Sequence, residues 1–344
     1  MRRFRFLRDP DPAAIGDSFE AFLRWLEGPA CLFISGADDS RCRAFVTLLH
    51  GNEPSGARAL WRWLREGERP AVNLVCIVAS VTAALTEPLF THRMLPRARD
   101  LNRCFRPPFD DAQGRLAEEI LELLRLHRPE AVVDMHNTSG SGPSFAVCTF
   151  PDRQHDALAA LFTGRLIISH LDLGALMEIS DHRCPTVTIE VGGRLDDAAH
   201  RCAYEGLCRY AAVEDVFAAG IRERGLERLA DPVRLELRDG VSLTYAPRPC
   251  AGHDITLRPD IEHHNFGSVG PDVVLGWTGG VASRLFRAVD AAGSCAVDRL
   301  VRIEDGELRP AQPLKLFMIT TNAGIAQSDC LFYAVADDGQ PIAA

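Results

Sequence analysis

The chain has 344 residues, of which 47% are hydrophobic and 25% charged, and its formal net charge is −9. This length can bury a substantial core and predicts one large domain or two unequal ones. The negative charge argues against a general nucleic-acid or membrane-surface binder, which needs a basic face. No apolar stretch approaches the length of a transmembrane helix, so we expect a soluble protein.

The cysteine and lysine content makes several classes of site and mechanism less favourable. The 11 cysteines are scattered without a C-x-x-C pair, which disfavours a disulfide scaffold and a cysteine-rich zinc finger. Reduced thiols fit the cytoplasm, where we expect the protein. The arginine-rich start, Met1–Pro10, is not followed by an apolar core of signal-peptide length, so no secretion signal is expected. A Schiff-base mechanism would depend on Lys315, the only lysine.

Up to residue 227, apolar β-branched runs alternate with helical patterns. We predict strands at Arg43–His50, Val72–Ala79, Ala131–His136, Phe145–Phe150, Leu166–His170 and Thr186–Val191. We predict helices at Ser55–Arg65, Arg115–Arg128 and Asp196–Gly220. This alternation is typical of an α/β domain, here residues 1–227, with a mixed, mostly parallel sheet flanked by helices.

After residue 227 the pattern changes to short strands separated by Asp-Gly, Pro and Gly. The predicted strands include Val233–Leu237, Val241–Tyr245, Leu300–Ile303 and Leu314–Ile319. We therefore expect a smaller, β-rich second domain over residues 228–344.

Two of the predicted strands end on a histidine, at His50 and at His136. In an α/β sheet, ligands collect beyond the carboxyl ends of the strands. Glu53 follows His50 by three residues across a turn that contains Gly51, so both side chains can reach one ion. Two imidazoles and one carboxylate are a ligand set of catalytic zinc sites, with a position left for water. The alternative for His50 is a hydrogen-bonded core histidine.

The spacing of His50 and Glu53 is weak evidence by itself, because His127 and Glu130 repeat it. That second pair lies at the end of a predicted helix, where a histidine near the C-terminus is a common capping arrangement. Asp134 gives the first site more weight, since it precedes His136 by two residues and could orient a ligating imidazole.

Glu190 lies inside the apolar strand Thr186–Val191. A buried carboxylate is unfavourable without a partner. Its two candidate roles are an ion pair with an arginine and a general base that takes a proton from water and delivers it to a leaving amine.

Asn102 and Arg103 lie in a loop rich in arginine and proline. An asparagine beside an arginine can bind a carboxylate, to which the guanidinium offers a planar fork. The alternative is a solvated loop, which we favour for Arg97 and Arg99.

Together these stretches resemble the succinylglutamate desuccinylase/aspartoacylase family, a branch of the zinc carboxypeptidase-like hydrolases. The matching pieces, in the order of the family, are His50-Gly51-Asn52-Glu53, Asp100-Leu101-Asn102-Arg103, Asp134-Met135-His136 and Glu190-Val191-Gly192. The resemblance covers residues 44–193 by motif. Beyond that it rests on architecture, because the family also has a C-terminal β domain.

The resemblance implies a role for each matching residue. It implies that one zinc ion per chain is held by His50, Glu53 and His136. It also implies that Glu190 activates water, while Asn102 and Arg103 hold the substrate carboxylate. The family has a further substrate-binding arginine before an aromatic residue. Arg93 and Arg97 are both candidates for it, although neither aligns cleanly.

The implied activity is zinc-dependent hydrolysis of a small N-acyl amino acid or a related amide. Glu190 would act as the base, and Arg103 would help to offset the charge of the oxyanion. The partner is then a small molecule and neither a nucleic acid nor a membrane, and a homo-oligomer is compatible with the sequence.

Other functions stay open at this point. One is a zinc peptidase that removes a C-terminal residue, although a β domain that narrows the entrance, as in the resembled family, argues against it. Another is a noncatalytic small-molecule binding protein on the same fold. Serine hydrolysis would use Ser139, Ser141 or Ser144, but no G-x-S-x-G elbow is present. A polar cluster in the second half fits solvated turns better than a second metal site: His253, Asp254, His263, His264 and Asn265.

Overall fold

The structure is a computed structural model that describes residues 4–138, 142–170, 172–218, 225–328 and 330–342. The chain forms two compact units, one of Met1–Leu166 with Leu171–Leu226 and one of Ile167–His170 with Glu227–Ala344. Among the described residues, no helix has both the length and the apolar character needed to cross a membrane.

The first unit is built on a mixed sheet. Its strands are β1 Arg5–Arg8, β2 Ala30–Ile34, β3 Asp38–Thr47, β4 Val72–Val78, β5 Val132–Thr138, β6 Phe145–Cys148 and β8 Thr186–Gly193, while β7 Arg165–Ile168 falls on the division between the units. The strand order is β1-β2-β4-β3-β5-β8-β6. Among the described pairs of these strands, only β2–β4 and β6–β8 are antiparallel. The predicted mixed, mostly parallel sheet is confirmed.

Helices cover both faces of this sheet. They are α1 Phe19–Leu26, α2 Ser55–Glu66, α3 Val81–Ala84, α4 Ala112–His127, α5 Arg153–Ala160 and α6 Asp197–Ala212, with short 3-10 turns at Leu101–Arg103 and Leu176–Ile179. Leu116 and Ile120 of α4 share a core cluster with Val46 of β3. Gly56 of α2 lies against Thr47, the next residue of β3. Since neighbouring residues of a strand point to opposite faces, α4 and α2 cover opposite sides.

Several predicted boundaries differ from those in the structure, among them the ends of β3 and α6. Strand β3 ends at Thr47 and not at His50, because Leu48 has a φ of 56° and leaves the extended conformation. His50 therefore lies in a turn beyond the strand. Helix α6 ends at Ala212, since Val213 is extended with φ −69° and ψ 132°. The predicted end of that helix at Gly220 lies outside the described residues.

The second unit is rich in β-structure, as predicted. Its strands are β9 Glu227–Ala230, β10 Val233–Leu237, β11 Leu243–Tyr245, β12 Ile255–Leu257, β13 Gly267–Val269, β14 Gly276–Thr278, β15 Phe286–Arg287, β16 Val301–Glu304, β17 Glu307–Pro310, β18 Leu314–Phe317 and β19 Phe332–Ala336. All of these strands except β9 form two five-stranded sheets, ordered β13-β18-β19-β10-β15 and β11-β12-β14-β17-β16. Short helices α7 Ala282–Leu285, α8 Val297–Leu300 and α9 Ala323–Ser328 and a 3-10 turn at Pro259–His264 complete the unit.

Candidate metal centre and catalytic site

The turn that carries His50 begins with a left-handed residue. Leu48 adopts a φ of 56°, which is unfavourable for a non-glycine residue by about 1 kcal/mol. Ser80 compensates, because its backbone N–H donates to Leu48 O at 2.7 Å and its hydroxyl to Leu49 O at 2.8 Å. The chain thus turns away from the line of β3 and places His50 over the end of the sheet.

Gly51 allows this turn to pack tightly. A Cβ at this position would lie 2.7 Å from His92 O and equally close to Ala83. The Gly51 N–H also donates to Arg93 O at 2.9 Å. Only glycine permits this approach, which brings the loop of Arg93 against the turn of His50 and Glu53.

His50, Glu53 and His136 converge on one point, where their candidate ligand atoms lie within 4.8 Å of one another. His50 Nδ1 lies 2.9 Å from Glu53 Oε1, and His136 Nδ1 lies 2.7 Å from Glu53 Oε2. All three residues are buried, with exposures of 2%, 6% and 3%. Within the described part of the chain, no other three His, Cys, Asp or Glu side chains meet in this way.

Each imidazole is held from behind by a second carboxylate. His50 Nε2 lies 2.7 Å from Asp100 Oδ1, and His136 Nε2 lies 2.8 Å from Asp134 Oδ2. A carboxylate on one ring nitrogen fixes the proton there and leaves the other nitrogen as a ligand atom. The contact of Asp134 with His136 agrees with the sequence-based expectation. The contact of Asp100 with His50 was not predicted.

The chemistry of these donors fits a metal cation. With both outer nitrogens protonated, the Nδ1 lone pairs of His50 and His136 face the carboxylate of Glu53, so electron-rich atoms meet in a buried place. His50 Nδ1 has no hydrogen bond of acceptable geometry among the described residues, although Glu53 is only 2.9 Å away. Such a cluster requires a cation or additional protons. The nitrogen and carboxylate donors are those that zinc prefers.

The pKa values of Glu53 and His136 in the metal-free protein reflect the same close approach of polar groups. Burial would raise the pKa of Glu53, but His50 and His136 outweigh burial and lower that pKa far below its usual range. Burial would lower the pKa of His136, but Asp134 and Glu53 raise it well above the ordinary histidine value. Protons are therefore drawn into the cluster, where a bound metal would take their place.

Glu190 lies on the strand next to His136. The two residues are paired across β5 and β8, so their side chains leave the sheet on the same face. Glu190 Oε2 is buried without a hydrogen-bond partner, and no ion pair of Glu190 with an arginine is found among the described residues. Burial, assisted by the charge of Glu53 and opposed by His136, raises the pKa of Glu190 to about 7.

The two candidate arginines differ in position. Arg93 donates from Nη1 to Glu53 Oε1 at 3.1 Å, and from Nε and Nη2 to Asp100 Oδ2 at 3.0 and 2.9 Å. Its guanidinium therefore belongs to the cluster and uses three of its five donors. Arg97 is exposed with a φ of 67° and forms no side-chain hydrogen bond or ion pair in the described part of the chain.

Asn102 and Arg103 lie in the 3-10 turn that Asp100 begins. The amide oxygen of Asn102 is buried and accepts from Leu176 N at 2.9 Å, so its Nδ2 group is the end left for an acceptor such as a carboxylate. Arg103 is exposed and donates to Asn102 O at 2.8 Å. Asp100 Oδ1 accepts from Asn102 N at 2.9 Å and thereby connects this turn to His50.

The rival sequence features do not form a comparable site. The His127 ring lies 5.5 Å from that of Phe33, while Glu130 binds Arg43. Ser144 donates to Thr163 Oγ1 at 3.2 Å, and Ser139 and Ser141 lie outside the described residues. In the second unit Asp254 accepts from the backbone and hydroxyl of Ser242, as expected for a turn residue.

Comparison with solved structures supports the same fold. A succinylglutamate desuccinylase/aspartoacylase from Rhodobacter sphaeroides matches with a TM-score of 0.54 and 14% identity, over 87% of this chain and 85% of that one. The product-bound ectoine utilization protein EutE (DoeB) from Ruegeria pomeroyi matches with 0.53 and 15%, over 87% and 86%. Murine aminoacylase 3 matches with 0.50 and 18%, over 85% and 94%. At these identities the likeness concerns the fold alone.

Sequence comparison shows which part of the chain resembles a known family. A search of curated protein sequences gives no match. Residues 46–203 match the model of the succinylglutamate desuccinylase/aspartoacylase catalytic domain. This range contains the triad of His50, Glu53 and His136. It also contains Glu190 and the Asn102-Arg103 pair, which carried the resemblance in the sequence. Residues 46–203 are therefore similar to the catalytic domain of the succinylglutamate desuccinylase/aspartoacylase family.

Proposed function

We propose that this protein is a zinc-dependent amidohydrolase that cleaves a small N-acyl amino acid or a related carboxylate-bearing amide. His50, Glu53 and His136 would hold one zinc ion per chain. One observation carries the proposal: the Nδ1 atoms of both histidines meet the carboxylate of Glu53 within 2.9 Å, while each Nε2 is engaged by a second carboxylate.

When bound, zinc supplies a Lewis acid that lowers the pKa of water to about 7 and polarises a carbonyl group. Glu190 is the proposed general base. Its unpartnered Oε2 is available to a proton, and a pKa of about 7 suits transfer near neutral pH. Glu190 accepts a proton from the attacking water as the new C–O bond forms. It then delivers this proton to the amine nitrogen as the C–N bond breaks.

The proposed carboxylate site involves Asn102 and Arg103. The bond from Leu176 fixes the Asn102 amide with its NH₂ group free to donate, and the guanidinium of Arg103 adds a planar, charged fork. Arg103 would also offset charge on the oxyanion. Arg93 keeps two donors beyond its bonds to Glu53 and Asp100, so we favour it over Arg97 as the further substrate arginine.

The general properties of the chain are compatible with this proposal. A small anionic substrate needs only a local positive site, which a net charge of −9 allows. We also propose that the protein acts in the cytoplasm, because its 11 cysteines are an odd number and are scattered without a C-x-x-C pair. This pattern fits reduced thiols, which persist in a reducing compartment.

Metal analysis followed by a substrate panel tests the proposal. The purified protein is assayed for bound metals by mass spectrometry and then incubated with amides in which the acyl and amine parts vary separately. We expect one zinc ion per chain, release of free amine from at least one N-acyl amino acid, and loss of activity with a chelator. Short peptides form the comparison set, since better turnover of peptides would indicate a peptidase.

Three outcomes would contradict the proposal. A protein without bound metal would remove its basis, and activity that survives a chelator would favour serine chemistry. Tight binding of an acyl amino acid without turnover would favour a noncatalytic binding protein.

A further inference from the structure

The pairing of β5 and β8 becomes irregular directly after His136 and Glu190. His136 pairs with Glu190, but Thr138 pairs with Gly193, so two residues of β8 face Asn137 alone. Such a bulge leaves backbone groups outside the regular ladder and bends the strand. Gly192 is one of the two bulged residues, with a φ of 110°.

The side chain of Asn137 replaces the missing ladder contacts. Its Nδ2 group donates to Gly192 O at 2.9 Å and to Ser55 Oγ at 2.8 Å. Its Oδ1 accepts from the backbone N–H of Ser55 at 3.0 Å. A single amide thus connects β5, β8 and the first residue of α2. Asn137 and Ser55 are 2% and 0% exposed, so water cannot readily replace these bonds.

These three elements carry the groups of the proposed reaction. Asn137 directly follows His136, Gly192 lies two residues after Glu190, and Ser55 lies two residues after Glu53. Pro54 limits the backbone between Glu53 and Ser55 because its ring fixes φ. A displacement of the Asn137 amide would therefore be passed through short lengths of chain to both metal ligands and to the base.

We propose that Asn137 is a positioning residue that fixes the spacing of Glu53, His136 and Glu190. This inference rests on the proposed function. Asn137 acts through the backbone of its neighbours, since its side-chain bonds among the described residues go to Ser55 and Gly192. The alternative is a purely structural asparagine that stabilises the fold without affecting the site.

Asn73 provides a matched control. It is also buried, at 8% exposure, and its side chain joins two backbone segments. Its Nδ2 donates to Asp39 O at 2.8 Å, and its Oδ1 accepts from Gly36 N at 3.0 Å. It lies at the start of β4, away from the end of the sheet that carries the triad.

The test compares Asn137→Ala with Asn73→Ala in the whole chain. Zinc affinity is measured by competition with a chelator. The values of kcat and KM are determined on the best amide of the panel, and the thermal midpoint is determined by calorimetry. We expect both variants to lose thermal stability. Only Asn137→Ala should weaken zinc binding, by about tenfold or more, and lower kcat by a similar factor, the range found for residues that support metal ligands. Ser55→Ala keeps the bond to Gly192 and should show a smaller effect in the same direction.

Unchanged zinc affinity and kcat in a folded Asn137→Ala would overturn the proposal and leave Asn137 as a structural residue. If Asn137→Ala does not fold, unchanged zinc affinity and kcat in Ser55→Ala would overturn the proposal instead. A failure of the proposed function is seen separately, because the unaltered chain would then bind no zinc or cleave no amide.

Discussion

Two groups of polar side chains lie at opposite ends of the sheet in the first unit, and each contains a His-x-x-Glu pair. Beyond the end of β3, His50 and Glu53 meet at 2.9 Å and are joined by His136. Before the start of β5, His127 packs against Phe33, and Glu130 forms an ion pair with Arg43. The same spacing thus produces a converging pair at one end and a diverging pair at the other.

The clusters differ in how their polar groups are satisfied. Arg43 donates from Nε to Glu130 at 2.7 Å, and its other nitrogens donate to backbone carbonyl groups of Tyr210, Val213 and Glu214. That network is complete without a ligand. The triad instead brings acceptor atoms together and leaves Glu190 Oε2 unpartnered. A complete network stabilises the fold, whereas an incomplete one is suited to bind a cation and a substrate.

The largest expected effect is a difference in zinc content and activity between variants of His50 and His127. His50→Ala should lose bound zinc and all measurable amidase activity, since three ligands are reduced to two. His127→Ala should keep both, because among the described residues the His127 ring packs against Phe33 and does not contact the metal ligands. Metal content per folded chain and an amidase assay measure this difference. Equal zinc content in the two variants would mean that the convergence at His50 has no role in metal binding.

The next comparison concerns the two glutamates outside the ligand set. Glu190→Gln should lower kcat by about a thousandfold, in the range of a general base, while keeping its zinc. Glu130→Gln should leave kcat unchanged, since Glu130 binds Arg41 and Arg43 away from the triad. Steady-state kinetics at saturating substrate measure the effect. Full activity of Glu190→Gln would remove this residue from the mechanism.

The network of Arg43 and Glu130 should stabilise the fold of the first unit. Arg43→Met leaves Glu130 and several carbonyl groups without their buried donor, so the free energy of unfolding of the first unit should fall by about 3 kcal/mol. Zinc content and kcat of the folded variant should stay at the parent values. Urea unfolding followed by fluorescence measures the loss. A matching loss of zinc would show that the two ends of the sheet are coupled.

Another expected effect is a pH dependence of the activity. With a pKa of about 7, Glu190 becomes protonated as the pH falls, and kcat/KM should decrease about tenfold per pH unit below 7. His136, Glu53, His50 and Arg93 surround this carboxyl group, so the midpoint also reports on their charges. The residual activity of Glu190→Gln should lack this limb of the profile, and its persistence there would assign the limb to another group.

The same pKa shift predicts an effect on stability. The folded protein holds the proton of Glu190 more tightly than the unfolded chain, where the pKa is 4.5. The metal-free protein should therefore lose stability as the pH rises from 4.5 to about 7. Glu190→Gln should reduce this loss and raise the thermal midpoint at pH 8.

Much of this architecture could be predicted from local patterns. The strands that carry His136 and Glu190 are short apolar runs with clear periodicity, and their order indicates a mostly parallel sheet. The end of β3 could not be predicted, because nothing in the two leucines before His50 indicates a left-handed residue. The bulge at Asn137 could not be predicted either, because a shift of one residue in the pairing of β5 with β8 does not change the pattern of residue types.

The supporting residues of the site were harder to predict than the triad. Asp134 lies two residues from His136 on the same strand, so alternation alone places it nearby. Asp100 reaches His50 across 50 positions of sequence, and that contact depends on the path of a loop. The path of the same loop also brings Arg93 to Glu53 and leaves Arg97 exposed.

The close packing of Gly51 against the loop has a consequence for substrate entry. Gly51 leaves no space for even a methyl group beside His92, and Arg93 is bonded through its backbone to Gly51 and through its side chain to Glu53. This part of the loop cannot swing outward without pulling on the turn of His50. We therefore expect it to behave as a rigid wall, so that the motion which admits the substrate belongs to other segments.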